Sequence, residues 1–127
     1  MTLQEISEIE YLVNNVTVKN IQIPNMFLNP YVIIPIVLKD KQYFFEYYWN
    51  FRSELVYLSI YLINNNQKKY IISNISLIKG MSISDYIHDD DWNGSLDFTN
   101  IDYSDEDFYT AKDISEKFQL IYGYLED

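Results

Sequence analysis

Ten consecutive residues, His88-Asp89-Asp90-Asp91-Trp92-Asn93-Gly94-Ser95-Leu96-Asp97, hold four carboxylates, an asparagine and a glycine. Side chains of these types do one of two things. Hard oxygens can converge on a cation, or carboxylates facing outward can make a negative field that attracts a basic partner. A second group follows, Asp102, Asp105, Glu106 and Asp107, interleaved with Tyr103, Phe108 and Tyr109. Residues 85–127 carry thirteen acidic side chains against Lys112 and Lys117, whereas residues 1–84 carry six against seven basic ones. The last third of the chain therefore holds essentially all of a net charge of −10.

Read from Asp89, the residues Asp89, Asp91, Asn93, Gly94, Leu96 and Asp97 fall on positions 1, 3, 5, 6, 8 and 9 of a twelve-residue loop that resembles an EF-hand. The resemblance implies calcium held by Asp89, Asp91, Asn93 and Asp97. The segment departs from the pattern at the twelfth position, where Asn100 stands in place of the bidentate glutamate. It departs again in its flanks, because Ser84 to His88 is a short lead-in and Ile101 to Tyr109 reads as loop, not as an exiting helix. The alternative function that follows is a calcium-dependent structural or interaction module using residues 89–97. The plain structural reading is a solvated acidic turn around the hairpin dipeptide Asn93-Gly94.

On an extended chain, carboxylates two residues apart, such as Asp89 and Asp91 or Asp105 and Asp107, stand roughly 6.6 Å apart, close to the interval between phosphates along a nucleic-acid strand. Concentrating like charge costs stability through repulsion, and solubility requires no such concentration, so an interaction is the more economical account. We expect the partner-binding residues to be Asp85, Asp89, Asp90, Asp91, Trp92, Asp97, Asp102, Tyr103, Asp105, Glu106, Asp107, Phe108 and Tyr109. The charges would steer association and the aromatic rings would anchor it.

The expected function is a small acidic, non-enzymatic inhibitor that binds and occludes a basic protein, a nuclease or other nucleic-acid-binding effector. In size, charge and lack of catalytic residues the chain is similar to two kinds of bacterial or phage protein. One is the phage anti-defence inhibitor, including anti-CRISPR nucleic-acid mimics; the other is the immunity protein of a nuclease toxin. Abundant Ile, Asn, Tyr and Lys suit an AT-rich bacterium or its phage.

Other chemistry has little material. The chain has one histidine, one arginine and no cysteine, which leaves thiol nucleophiles, disulfides and zinc-thiolate sites out of reach. No spacing singles out a glycosidase carboxylate pair, and three glycines make no phosphate-binding loop. We expect no cofactor and no metal as the leading reading, and no direct nucleic-acid binding, because the net charge repels phosphate. Neither signal peptide nor membrane-length apolar run is visible, so a cytoplasmic protein without membrane contact is expected.

A length of 127 residues predicts a single domain, 1–127, with its acidic segment at 85–109. Thr2 and Glu5 have capping-box spacing, and Leu3, Ile6, Ile9 and Leu12 recur at helical intervals, predicting an N-terminal helix. Val16, Val18, Ile21 and Ile23 alternate with one slip, as in a bulged strand. Tyr31 to Leu38, Gln42 to Phe51, Glu54 to Ile63 and Lys69 to Ile72 read as an antiparallel meander, with Pro35 marking its strand as an edge. Ser76 to Lys79 and Ser82 to Ile87 suit short helical turns, Ser95 to Thr99 a short strand, and the spacing of Ile114, Phe118, Ile121 and Leu125 a final helix. The expected fold class is α+β, an antiparallel meander of about four to five strands covered by N- and C-terminal helices. Tyr43, Phe45, Tyr47, Trp49 and Phe51 would form the core face under those helices, while Phe44 and Tyr48 face the other way with Tyr57 and Tyr61.

Overall fold

The computed structural model describes residues 8–13, 16–101 and 105–125. Among them the chain forms eight strands: β1 (Glu8–Val13), β2 (Val16–Gln22), β3 (Tyr31–Leu38), β4 (Lys41–Asn50), β5 (Leu55–Asn64), β6 (Gln67–Ser76), β7 (Ser95–Asn100) and β8 (Phe118–Leu125). Helix is confined to a 3₁₀ turn, Ile83–Tyr86, and one four-residue turn, α1 (Ile114–Lys117). The strands make two antiparallel sheets, ordered β1-β2-β8-β7 and β3-β4-β5-β6. The α+β expectation is thereby corrected: a second sheet, not a pair of terminal helices, covers the meander.

Each expected terminal helix is replaced by a strand. Residues 1–7 lie outside the described part, but Glu8 to Val13, expected as helix, pairs residue by residue with β2 from Glu8↔Ile21 to Val13↔Val16. At the other end, helical geometry lasts only to Lys117. Phe118 then turns extended (φ −133, ψ 159), and β8 pairs with β2 on one side and β7 on the other. A strand inserted between two others satisfies its backbone on both sides, a gain that a short amphipathic helix cannot match there. Period 2 then replaces the helical period. Phe118, Leu120 and Tyr122 are buried, whereas Ile121 is only partly covered and Leu125 is exposed.

The bulge expected in β2 is also absent, since its register with β8 runs unbroken from Val16↔Leu125 to Gln22↔Gln119. The apparent slip arose because the inward residues are Thr17, Lys19 and Ile21. Buried Lys19 donates from Nζ to the Val37 carbonyl oxygen at 2.8 Å, which ties β2 to β3 across the two sheets. A lysine in this row hides the alternation from a reading based on polarity. Ser76 to Lys79 is likewise not a helical turn but the end of β6 and the turn that follows.

Within the meander the turns follow from local chemistry. Lys39-Asp40 and Asn65-Asn66 each place two consecutive residues at positive φ, the type of two-residue connection whose twist matches antiparallel strands. Pro35 sits on β3, an edge strand, where its missing N–H interrupts no second ladder. β6 runs longer than the sequence suggests because two register shifts opposite Ser59 and Ile60 absorb extra residues. One of them contains Asn74 at φ 51, whose N–H donates to the Ser59 hydroxyl at 2.8 Å.

Alternation turns one face of each sheet inward. Tyr43, Phe45 and Tyr47 of β4 and Val56, Leu58 and Ile60 of β5 meet Leu96 and Phe98 of β7 and Phe118, Leu120 and Tyr122 of β8 in one continuous core. Among the described residues, the Tyr47 hydroxyl in this core has no hydrogen-bond partner, and burial pushes its phenol well above the usual range. An unsatisfied buried hydroxyl costs about 1 kcal/mol or more. Tyr47→Phe is therefore expected to raise unfolding stability by about 1 kcal/mol in urea titration; a loss of that size would show the hydroxyl to be satisfied.

Candidate functional site

The segment 82–97 is laid down by apolar anchors. Ile83, the first residue of the 3₁₀ turn, and Ile87, directly after it, are buried, Ser82 bridges to Asp97, and the Leu96 N–H donates to the Ser84 hydroxyl at 3.2 Å. Beyond Ile87 the chain turns on Asp89, whose side chain accepts the Asp91 N–H at 2.8 Å while its carbonyl accepts from Trp92 at 3.1 Å. The carboxylates face cations. Lys69 Nζ lies 2.5 Å from one oxygen of Asp91 and 3.3 Å from Asp89, and Lys41 Nζ lies 3.3 Å from the other Asp91 oxygen.

Tyrosines complete the closure. The Tyr43 hydroxyl donates to the Asp91 carbonyl and the Tyr122 hydroxyl to the Asn93 carbonyl, one from each sheet. Trp92 stands edge-on between the same two rings, at 5.3 and 5.4 Å between centroids. Burial, followed by the charges of Asp91 and Asp89, pushes the Tyr43 phenol up to about 12. Gly94 takes φ 108, and a Cβ there would overlap the Gly123 carbonyl oxygen and stand 2.9 Å from the Tyr122 ring. The acidic loop thus closes one end of the two sheets. The EF-hand resemblance is met by a different arrangement: Asp89 and Asp91 hold lysines, and Leu96 and Asp97 already belong to β7. No cluster of metal-binding side chains occurs among the described residues.

The second acidic group sits beyond the far end of β7. Lys79 Nζ lies 3.1 Å from Asp107 and Lys117 Nζ 3.5 Å from Glu106, while the Asn100 amide donates to the Glu106 carbonyl at 2.9 Å. Tyr109 fixes this segment: its hydroxyl donates to the Leu77 carbonyl at 2.6 Å and accepts the Val56 N–H at 3.0 Å. Of the residues expected to bind a partner, the structure groups Asp89, Asp91 and Trp92 at one end and Asp105, Glu106, Asp107, Phe108 and Tyr109 at the other. Asp85 and Asp90 are exposed nearby, Asp97 lies outward on β7, and Asp102 and Tyr103 fall outside the described residues. The two acidic groups do not converge, because the six residues of β7 separate them by about 17 Å.

A different feature accompanies the second group. Asn25 accepts the N–H groups of Phe27 and Leu28 on its side-chain oxygen at 3.0 and 3.2 Å, and Asn50 does the same for Arg52 and Ser53 at 2.9 Å each. These two Asx turns hold Phe27, Leu28 and Phe51 out at 70, 71 and 76% exposure. Buried Met26 and its N–H bond to the Ala111 carbonyl at 2.9 Å tie the first turn to the segment that carries Phe108, itself 85% exposed. The sequence reading overlooked Phe27 and Leu28 and placed Phe51 on the core face, whereas Phe51 lies beyond the end of β4 and is exposed. Their signal was local: apolar residues directly after an asparagine, between Pro24 and Pro30 in the first case.

Fold and site together define a two-sheet antiparallel β protein with one end closed by ion pairs and one end open and apolar. A family model described as Cyanophage baseplate Pam3 plug gp18 matches residues 18–125. The chain belongs to this family and is a phage protein. No curated protein and no solved structure matches it.

Two outcomes test the closed end. Gly94→Ala should cost about 2 kcal/mol or more in chemical unfolding, because it combines a strained positive φ with backbone overlap. The hydrogen bonds from Lys69 and then Lys41 hold the Asp91 carboxyl below its ordinary value of 3.8, while the bond to Asp91 raises Lys69 above 10.5. The carboxylate's contribution is therefore present above pH 3.8 and lost as pH falls through its depressed value. The ammonium's contribution is present below 10.5 and lost as pH rises through its raised value. In Trp49→Phe protein, where Trp92 is the single emitter, fluorescence should hold constant between these limits and shift to the red in acid. Lys69→Met should move that acid shift to higher pH.

Proposed function

We propose that this protein is a plug-type structural component of a phage baseplate, acting by filling space in the assembly through protein contacts. The observation that carries the reading is the family match over residues 18–125, which spans β3 to β8 whole and five of the seven residues of β2. The architecture supports it. Two antiparallel sheets packed on one core give a stiff body, and the ion-paired loop 89–94 locks one end of it.

Stoichiometric occlusion of a basic nuclease, expected from composition, uses the same physical logic of a body that fits and blocks. The family favours a partner inside the phage particle instead. Gradient-purified particles, stripped of tails in steps and analysed by quantitative mass spectrometry, should contain the chain at a fixed small number per particle and retain it in baseplate fractions. Particles that lack it while infected lysate contains it free would overturn this reading.

A further inference from the structure

Strand β3 reads Tyr31-Val32-Ile33-Ile34-Pro35-Ile36-Val37-Leu38, a run without a charged side chain, rich in β-branched residues and placed at the edge of its sheet. Apart from its proline, this is the composition of a segment that pairs with copies of itself. Which of its backbone groups face the open side follows from the register with β4. The Trp49 N–H donates to the Pro30 carbonyl at 2.8 Å, one step beyond the Tyr31↔Tyr48 pair, so the even-numbered residues of β3 carry the hydrogen bonds to β4. The N–H and C=O groups of residues 31, 33, 35 and 37 therefore point outward, to where a further strand would add.

Two of those four positions are obstructed. Pro35 has no N–H to offer, and its ring stands where the hydrogen would be. Its register partner is Phe44, a pair that exchanges no ladder bond, so the proline removes nothing from the β3–β4 pairing. Two residues on, the outward carbonyl of Val37 accepts Lys19 Nζ at 2.8 Å, which brings an ammonium group from the opposite sheet to the same edge. Among the described residues of β3, Tyr31 and Ile33 alone keep both outward groups, a shorter run than strands ordinarily pair over. The edge of β7 is closed by other means, for Phe98 exchanges backbone hydrogen bonds with Gly80 and Met81 at 3.0 and 3.1 Å.

We propose that Pro35 and Lys19 act together as a guard that keeps the β3 edge from pairing with a second copy of this chain. The inference does not depend on the plug reading. Its test compares wild type with Pro35→Val, and with Pro35→Val combined with Lys19→Met, by sedimentation velocity over a concentration series, each protein checked for an intact thermal melt. Valine keeps the β3–β4 hydrogen bonds and restores the outward N–H. The single variant should at least double its apparent mass as concentration rises, and the double variant should do so at lower concentration. Hydrogen exchange should show the Tyr31, Ile33 and Val37 amides better protected in the assemblies than in wild type. Ile33→Pro placed in the Pro35→Val protein removes a different outward N–H and should return the wild-type mass, a rescue that a purely local packing role of Pro35 would not produce. A folded double variant with the wild-type mass throughout would overturn the proposal. So would association that protects none of these amides, or that Ile33→Pro leaves unchanged in a protein that still melts. Where Lys19→Met abolishes the melt, the mass and exchange of Pro35→Val alone decide between these outcomes.

Discussion

Strands β2 to β8 each give side chains to a single apolar layer, and the remaining features depend on that division. The row Tyr43, Phe45, Tyr47 on β4 has to be covered, and the row Phe118, Leu120, Tyr122 on β8 covers it from the opposite sheet. Sheets that pack face to face lie about 10 Å apart, a gap that long aromatic and branched side chains fill from both sides. Because the gap is filled by side chains, the edges and ends of the layer need separate closure. At the edges, backbone pairing stops at β1, β7, β3 and β6. At the ends, closure falls to loops, and the two ends are treated in opposite ways.

One end is sealed with charge. Asp89 and Asp91 attract Lys41 and Lys69, and hydroxyls from Tyr43 and Tyr122 bind the loop backbone from both sheets. Surface ion pairs of this kind contribute little singly. Their value here is positional, since they hold Trp92 over the edges of two core tyrosines and so exclude water from the layer. The carboxylates that stand out most in the sequence therefore serve, in part, the protein's own closure.

The other end is covered inwardly and left apolar outwardly. Tyr109 reaches over the core, with its ring against Trp49, Phe98 and Phe118, while its neighbour Phe108 points away. Asx turns at Asn25 and Asn50 achieve the same split, with Met26 buried and Phe27, Leu28 and Phe51 presented. The two ends thus differ in kind, one closed by ion pairs and hydroxyls and the other left apolar on its outer side.

Local chemistry was legible in the sequence because turns and edge strands depend on a few neighbouring residues. Pro35 and the β-rich runs between residues 31 and 72 announced the meander, and Ser95 to Thr99 announced β7. The concentration of acid after residue 85 was likewise plain, though its neutralisation by Lys41 and Lys69 was not, for those lysines lie at least twenty residues away. Tertiary structure alone decided the class of fold. Ile114, Phe118, Ile121 and Leu125 fit a helical stripe as well as any, yet a strand slot between β2 and β7 offers hydrogen bonds on both sides. Buried Lys19 concealed the alternation of β2 in the same way, since its ammonium is accommodated by a carbonyl on the opposite sheet. Propensity and spacing act within a few residues, whereas pairing between strands a hundred residues apart is settled only when the whole layer forms.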